Sequence, residues 1–169
     1  MLISLRIFIL VGVLAPSCAS LPLQPSISHP QLGQKISAMT VDTLGGYLRF
    51  PEEGVFTLVD FWATYCEPCE RQLPALKALY RDYEARGLRI VGISEDRSPG
   101  KVLEHVRQNR LPWPNIVDGQ QRVIFGTFSV NTLPRLFLID PTGRVIQVQG
   151  GEADSVMKIR KSIAKYLGR

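Results

Sequence analysis

The sequence predicts an α/β domain in which a central mixed β-sheet is flanked by helices and preceded by an N-terminal β-hairpin. Two apolar runs rich in β-forming residues, 57–61 and 88–94, each precede a segment whose apolar residues recur every three or four positions. Strands that alternate with helices in this way pair in parallel. A third run, 135–139, is followed by a Pro-Thr-Gly turn and a returning run at 145–148, which predicts an antiparallel part of the same sheet.

Length and charge limit the classes of protein to which this chain can belong. A length of 169 residues suggests one domain plus a leader. The hydrophobic and charged fractions, 45% and 21%, are typical of a soluble globular domain. The net charge of +5 is spread along the chain and forms no basic stripe, so we expect no nucleic-acid partner.

Residues 1–19 have the three parts of a secretory signal, namely a cation at Arg6, an uncharged apolar run and small residues around Cys18. The apolar run is too short to span a bilayer comfortably. Cleavage after Ala19 is one interpretation. We favour a bacterial lipoprotein signal in which Cys18 carries lipid, because an unpaired cysteine in an exported protein requires an explanation. An uncleaved anchor is the third interpretation, and all three place the domain in the periplasm or cell envelope, with membrane attachment through the N-terminus in the last two.

The leader is followed by a predicted spacer and then by the folded domain. Residues 20–31 are rich in proline and serine without hydrophobic periodicity, which predicts a flexible spacer. The segment 32–47 predicts a short β-ribbon with a turn at Gly45-Gly46 and with apolar positions at Ile36, Met39 and Val41. We therefore expect the folded domain to occupy residues 32–169.

Start and stop signals place the remaining helices. Gly87 is predicted to end the first helix, and Ser98-Pro99 to begin a second that runs to about Asn109. Residues 115–130 are predicted to form a mixed connection. Asp154 is predicted to cap a last helix, whose apolar face consists of Val156, Ile159, Ile163 and Tyr166.

The stretch Trp62-Ala63-Thr64-Tyr65-Cys66-Glu67-Pro68-Cys69 lies between the first strand and the first helix. Two thiols separated by two residues at a helix start can close a small disulfide, and the free amide donors of the first helical turn stabilise a thiolate. The alternatives are half of a zinc site or two structural cysteines. A zinc site needs four ligands, and His29, His105 and Cys18 do not stand at spacings that complete one. We therefore predict a redox pair and no metal site.

Position within the pair predicts a role for each residue. Cys66 is nearer to the free amides and more exposed, so we expect it to be the attacking nucleophile. Cys69 lies inside the first helical turn and is expected to resolve the mixed disulfide by attacking Cys66. Pro68 suits the first helical position. Glu67 places a negative charge beside the thiolate, which favours the disulfide over the dithiolate and predicts a reducing poise.

A strand ending in Val-Asp-Phe-Trp-Ala, then Cys-x-Pro-Cys, then a helix containing Pro74, resembles the thioredoxin superfamily. The motif around the cysteines, together with the leader, is most similar to the extracytoplasmic TlpA/ResA-like branch of that superfamily. The resemblance covers residues 32–169 and implies a thioredoxin fold whose redox-active disulfide, Cys66-Cys69, serves without a bound cofactor. It also implies that Pro134, directly before the third strand, is a cis proline that faces the cysteine pair.

Two acid positions differ from the branch that the chain resembles. Asp60 is an acid within an apolar strand, where burial is costly unless the group is paired or neutral. Thioredoxins have a buried aspartate at this place, so the resemblance implies a raised pKa for Asp60 and a base role toward Cys69, whereas a solvent-facing acid is the alternative. ResA-like members tend to have glutamate where this chain has Gln72. Both differences weaken an assignment to cytochrome c maturation.

Aromatic and apolar residues around the pair are expected to bind the partner protein. We expect Trp62, Tyr65 and Pro134 to form a flat apolar surface for an extended segment, bound partly by backbone hydrogen bonds beside Pro134. We also expect Glu67, Pro68 and Leu133 to contact the partner protein. Leu133 replaces the Thr or Ile that is more usual before this proline. Two further expectations are structural: His105 is predicted to lie on a helix away from the cysteines, and Glu95 and Asp96 are predicted to be loop charges. A structural role for Trp62 remains open.

These residues support one leading hypothesis and three alternatives. The leading hypothesis is an exported enzyme, a thiol-disulfide oxidoreductase that reduces disulfides of extracytoplasmic proteins and is itself reduced by a membrane-embedded thiol donor. The same fold acting as a disulfide oxidase or isomerase is the second hypothesis. A Cu(I)-carrying metallochaperone is the third, although such proteins usually have three residues between the cysteines and a histidine ligand downstream. A peroxidase is less well supported, because it requires an isolated reactive cysteine.

Overall fold

The computed structural model of the protein describes residues 29–120, 124–151 and 153–168. The expected leader, with Cys18, and most of the expected spacer lie outside the described residues. Within the described ranges, every helix is too short or too polar to cross a bilayer.

An antiparallel hairpin precedes the main sheet, as predicted. Strand β1, Met39–Thr43, pairs with β2, Gly46–Phe50, in a register that sets Met39 opposite Phe50. The prediction was wrong about the bounds, because the hairpin begins only at Met39 and continues to Phe50. Ile36 belongs to the main body instead, since its amide donates to the carbonyl oxygen of Gly143 and its side chain is buried.

The central sheet contains five strands in the order β5-β4-β3-β6-β7. Their bounds are Phe56–Trp62 for β3, Leu88–Ser94 for β4, Asn115–Val117 for β5, Arg135–Ile139 for β6 and Val145–Gly150 for β7. β4 pairs in parallel with β3 and β5, whereas β6 pairs antiparallel with β3 and β7. The predicted mixed sheet is confirmed, with β3 at its centre.

The segment 115–130 contains structure that the sequence did not predict. β5 is only three residues long, too short for hydrophobic periodicity to indicate it, and it is held by pairing with β4. A short π-helical turn follows at Ile124–Phe128. The edge strand β5 therefore depends on tertiary pairing.

In the described ranges, three α-helices lie close to the predicted positions. α1 spans Glu67–Tyr83 and continues into a 3₁₀ turn that ends at Gly87, whose φ of 99° suits glycine. α2, Pro99–Gln108, is capped by the Ser98 hydroxyl, which accepts a hydrogen bond from the Lys101 amide. α3 spans Ser155–Leu167. Asp154 stands at its N-cap, but its carboxylate forms an ion pair with Lys158 and makes no capping hydrogen bond.

The alternation of side chains along β3 determines what each residue faces. Leu58 packs against α1 and α3 in the larger apolar core. Val59 and Phe61 point to the other face and pack with Phe50 of the hairpin and with Phe128. Asp60 therefore shares a face with Leu58 and with Trp62, which is the face that α1 covers.

Candidate active site

The cysteine pair stands at the junction of β3 and α1. β3 ends at Trp62, a turn follows, and Cys66 is the N-cap of α1. Cys66 and Cys69 form a disulfide with a Cα–Cα distance of 5.2 Å. The Cys69 amide donates to the carbonyl oxygen of Cys66 at 2.9 Å and also to its Sγ atom at 3.3 Å, so an amide of the first turn is directed at the sulfur of the predicted nucleophile.

The two sulfurs differ in their access to solvent. Cys66 is 7% exposed and Cys69 2%, so both are largely buried in this oxidised state. Cys66 also lines an open groove of about 410 Å³, whose other walls are Tyr65, Glu95 and residues 130–133. Cys69 does not line this groove. An incoming partner can therefore reach Cys66 first, which agrees with the roles predicted from position.

Pro134 lies next to this groove at the start of β6. The Leu133–Pro134 peptide bond is cis, as the resemblance implied, and Pro134 is buried. Leu133 is half-buried and lines the groove. The main chain passes very close to Gly150 here, since a Cβ atom on Gly150 would lie 2.4 Å from the Pro134 carbonyl oxygen. A residue without a side chain is therefore needed at position 150.

Asp60 lies behind the cysteine pair, on the face of β3 that α1 covers. The side chain is 2% exposed, and burial raises the pKa of Asp60 to about 7. The raised pKa agrees with the expectation stated above. The alternative, that Asp60 faces solvent, is wrong. An acid with this pKa changes its charge near neutral pH, as a group that accepts and returns a proton near neutral pH does.

Gln72 binds the carboxyl group of Asp60. Its amide Nε2 donates to Oδ1 of Asp60 at 3.2 Å. Gln72 is on α1, three residues after Cys69, and therefore lies one turn below that cysteine on nearly the same side of the helix. The two positions at which the chain differs from its predicted branch are thus in direct contact.

Asp96 was predicted to be a loop charge, and this was wrong. The residue is buried, and its carboxylate accepts hydrogen bonds from the Thr64 amide at 2.8 Å, the Thr64 hydroxyl at 2.7 Å and the Ser94 hydroxyl at 2.7 Å. Burial disfavours its charged form, but these hydrogen bonds outweigh burial and lower the pKa of Asp96. Asp96 therefore attaches the turn before Cys66 to the end of β4.

Tyr65 is the exposed aromatic residue of the site, at 70% exposure. Its hydroxyl donates to the carboxylate of Glu95. Glu95 is therefore part of the site, whereas it was predicted to be a loop charge. That hydrogen bond, together with burial and the nearby negative charges, raises the pKa of Tyr65 to about 12. Tyr65 and Glu95 form one wall of the groove beside Cys66.

Trp62 lies beneath the disulfide and contributes little exposed surface. It is 3% exposed and packs with both cysteines and Val102 of α2. A role for Trp62 in binding the partner protein remains a prediction.

His105 was predicted to lie away from the cysteines, and this was wrong. Its ring lies 4.7 Å from the Trp62 ring between centroids, and its Nε2 lies 3.1 Å from Oε1 of Glu70. Glu70 directly follows Cys69 in α1. The helical face of α2 was recognised from the sequence, but the packing of that face on Trp62 is a tertiary contact without a local signal.

Glu67 and Pro68, between the two cysteines, are exposed on the first turn of α1. Glu67 forms an ion pair with Arg71 at 2.5 Å, and its side chain is 84% exposed. Its charge is thus partly offset by Arg71 and screened by water, which weakens the predicted effect of Glu67 on the thiolate. Pro68 takes the second helical position and lines a separate cleft with Gln72 and Pro134.

Among the described residues, no cluster of three or more His, Cys, Asp or Glu side chains is arranged to hold a metal ion.

The fold and the site together define a thioredoxin-like domain with a Cys-x-x-Cys pair at the start of a helix. The thioredoxin domain of a thiol-disulfide oxidoreductase from Bacteroides vulgatus superposes with a TM-score of 0.68 at 22% identity, covering 82% of this chain and 99% of that one. StoA from Bacillus subtilis superposes with a TM-score of 0.64 at 19% identity, covering 78% of this chain and 98% of that one. These similarities show the fold.

Curated relatives are similar in sequence as well. The thiol-disulfide oxidoreductase ResA of Bacillus thuringiensis subsp. konkukian (strain 97-27) is 38% identical over 118 residues, which cover 70% of this chain and 64% of that protein. ResA of Bacillus anthracis is 38% identical over 100 residues, 59% of this chain and 56% of that protein. The chain thus matches less than two thirds of the length of these relatives. Residues 34–148 match the AhpC/TSA family, and the chain belongs to that family.

Proposed function

We propose that this protein is a thiol-disulfide oxidoreductase that reduces disulfide bonds of other proteins. The observation that carries the proposal is the Cys66–Cys69 disulfide at the N-terminus of α1, with a groove at Cys66 and a buried acid, Asp60, on the strand behind the pair. The curated relatives named thiol-disulfide oxidoreductase ResA support it, since they are 38% identical to this chain over 100 and 118 residues.

The geometry supports the following reaction. In the reduced protein, the Cys66 thiolate attacks one sulfur of a partner disulfide, and the other partner sulfur leaves as a thiolate that takes up a proton. Cys69 loses its proton to Asp60 and attacks the Cys66 sulfur of the mixed disulfide. The Cys66–Cys69 disulfide forms and the second partner thiolate leaves. Two electrons pass from the cysteine pair to the partner, and no further cofactor is involved.

Location and partners are part of the same proposal. The secretory character of residues 1–19 supports a protein of the periplasm or cell envelope, attached to the membrane through a lipid on Cys18. In that compartment the oxidised pair must be reduced again, and we propose a membrane-embedded thiol protein as the electron donor. The substrates are then disulfides in extracytoplasmic proteins.

The reduction potential of the pair distinguishes this function from a disulfide oxidase or isomerase. The soluble domain would be equilibrated against thiol buffers, and the fraction of disulfide measured by mass spectrometry after thiol alkylation. A potential of about −270 mV or lower is expected for a reductase. A potential near about −120 mV, as in a strong oxidant of folding proteins, would contradict the proposed direction of electron flow.

Two cysteine variants test the chemistry. Cys66→Ser is expected to abolish reduction of a protein disulfide, because it removes the cysteine sulfur that lines the groove. Cys69→Ala is expected to leave the first attack intact and to accumulate mixed disulfides with substrates, visible on non-reducing gels. Full activity of Cys66→Ser, in protein whose fold is verified by circular dichroism, would refute the assignment.

A further inference from the structure

Asp60 has few polar neighbours in the fold. The sheet register places Gly92 of β4 and Leu136 of β6 beside it, and neither side chain can ionise or form a hydrogen bond. Burial raises the pKa of Asp60, and within the described part of the chain no cation offsets this effect. The carboxyl group therefore depends on α1 for a polar partner.

α1 supplies that partner through Gln72. The Nε2–Oδ1 distance of 3.2 Å is within hydrogen-bonding range, and the bond joins two elements, since twelve residues separate the side chains along the chain. Gln72 is half-buried and also lines a cleft of about 310 Å³ that contains Pro134 and Arg71. It thus stands between the buried carboxyl group and solvent.

Among the residues that the structure describes, few charged or titratable groups lie near this contact. From α1, Cys69 lies one turn above Gln72, and Arg71 lines the same cleft. Arg71 is exposed and forms its ion pair with Glu67, which points its charge toward solvent. β4 and β6 contribute no ionisable side chain at the positions registered with Asp60. Gln72 is therefore the described residue whose side chain donates a hydrogen bond to Asp60.

An amide is suited to both protonation states of an acid. Its NH₂ group donates to a carboxylate, and after a half-turn its oxygen accepts from a protonated carboxyl group. A donor to the charged form favours ionisation, so Gln72 offsets part of the cost of burying Asp60 as an anion. A glutamate at this position could not donate once it had ionised.

We propose that Gln72 is a positioning residue for Asp60, which holds the Asp60 carboxylate below the Cys69 turn and sets the pH range in which this carboxylate can take the Cys69 proton. The inference rests on the proposed function, because the proton transfer belongs to the release step described above. In that step the proton moves from the Cys69 sulfur to Asp60, and the Cys69 thiolate then breaks the bond between Cys66 and the partner sulfur.

The test compares Gln72→Met with the wild type. Methionine has a similar length and no hydrogen-bond donor at its end. The titration of the Asp60 carboxyl carbon would be followed by NMR in the oxidised protein, where Cys69 cannot titrate. We expect the midpoint to rise by about one pH unit, which corresponds to the loss of one hydrogen bond to a charged group. Gln108→Met, at an exposed position of α2, is the matched control and should leave the midpoint unchanged.

The second measurement is the rate at which Cys69 resolves a preformed mixed disulfide, as a function of pH. Its midpoint should move upward with that of Asp60, so that one pH unit below the wild-type midpoint Gln72→Met is about tenfold slower. If Gln72→Met is unfolded, Gln72→Glu is measured instead. A second carboxyl group within hydrogen-bonding distance should also raise the pH at which the last proton of the Asp60–Glu pair is lost.

The two proposals can fail separately. An Asp60 midpoint that is unchanged or lowered in the variant overturns the role of Gln72, whatever the activity of the protein. A shifted midpoint with an unshifted rate profile also overturns it, because Gln72 would then not act on the release step. Wild-type protein that cannot reduce any protein disulfide, together with a shifted Asp60 midpoint, refutes the proposed function instead.

Discussion

Asp60 illustrates how burial changes the chemistry of one side chain. In water an aspartic acid is ionised at neutral pH, but in the centre of β3 the ionised form loses its hydration and gains one amide donor in return. The carboxyl group is therefore poised near neutrality. A group of this kind can accept a proton from a thiol and return it to solvent without a large free-energy cost in either direction.

Replacing Asp60 tests its role in the release step. Asp60→Asn keeps the size of the side chain and removes the proton acceptor. We expect the rate of the first attack by Cys66 to change little, and the rate of resolution by Cys69 to fall by about 10²-fold or more. Rapid-quench experiments with a disulfide peptide would show the mixed disulfide accumulating. Equal resolution rates in variant and wild type would show that Asp60 is not the base.

The position of His105 could not be predicted from the sequence. A single histidine on a predicted helix has no local feature that distinguishes a surface residue from one that packs on the site. In the structure it contacts Trp62 and Glu70, each of which is close to the cysteines along the chain. Only the packing of α2 on this face brings these residues together.

At the scale of elements, the site depends on how closely β6 and β7 approach each other at Pro134. Gly150 is paired with Arg135, and its missing side chain allows the Pro134 carbonyl to lie against the β7 backbone. The cis-proline loop also forms one wall of the groove at Cys66 through Leu133. A substitution in β7 is therefore expected to change the conformation of the site, although β7 carries none of the reacting groups.

Gly150→Ala tests this dependence. A Cβ atom 2.4 Å from a backbone oxygen requires the main chain to move, so we expect a loss of about 1–3 kcal/mol in the free energy of unfolding and slower reaction with protein disulfides. Urea denaturation and turnover assays would measure both. Gly45→Ala is the control, because nothing lies within 4 Å of a Cβ atom in that turn. Equal losses in the two variants would contradict the explanation.

A second link between elements is the hydrogen-bonded group around Asp96. It connects the turn at Thr64 with Ser94 at the end of β4, and Tyr65 is tied to Glu95 beside it. These bonds cross between two parallel strands that are far apart in sequence. The turn before Cys66 is therefore supported from β4, which helps to keep the nucleophile at a fixed place relative to the groove.

At the scale of the whole molecule, Asp60 links stability to pH. Its pKa is 3.8 in the reference state and about 7 in the folded protein, so the folded state binds more protons than the unfolded chain between these values. The contribution of the neutral acid is fully present below about pH 4 and is lost as the pH rises to about 7. Asp96 and Asp140 have lowered pKa values and act in the opposite direction, since their contributions are lost in acid below their ordinary pKa.

This linkage predicts the pH profile of unfolding for the oxidised protein. Between pH 5 and 7 the free energy of unfolding should fall and then level off, with about 4 kcal/mol as the upper bound for the whole titration of Asp60. In Asp60→Asn that slope should disappear, and the variant should be more stable than the wild type at pH 8. Urea denaturation at several pH values provides the measurement. A wild-type slope that persists in the variant would show that another group causes it.

Local sequence signals predicted the hairpin, the strands β3, β4, β6 and β7 and the three helices, together with the start of α1 at the cysteines and the roles expected from their positions. These features depend on local signals, namely strand periodicity, capping residues and the spacing of two thiols. The sequence also identified Asp60 as a costly residue to bury, because an acid within an apolar strand is anomalous whatever the fold. The resemblance to thioredoxins added the cis bond at Pro134.

Tertiary structure alone decided which residues surround the site. The contact between Gln72 and Asp60, the position of His105 on Trp62 and the burial of Asp96 all join segments that are distant in sequence. The three-residue strand β5 likewise exists through its pairing with β4. Such contacts have no sequence periodicity, because they depend on the relative placement of helices and strands. The residues that adjust the chemistry of the cysteines therefore became visible only when the chain was folded.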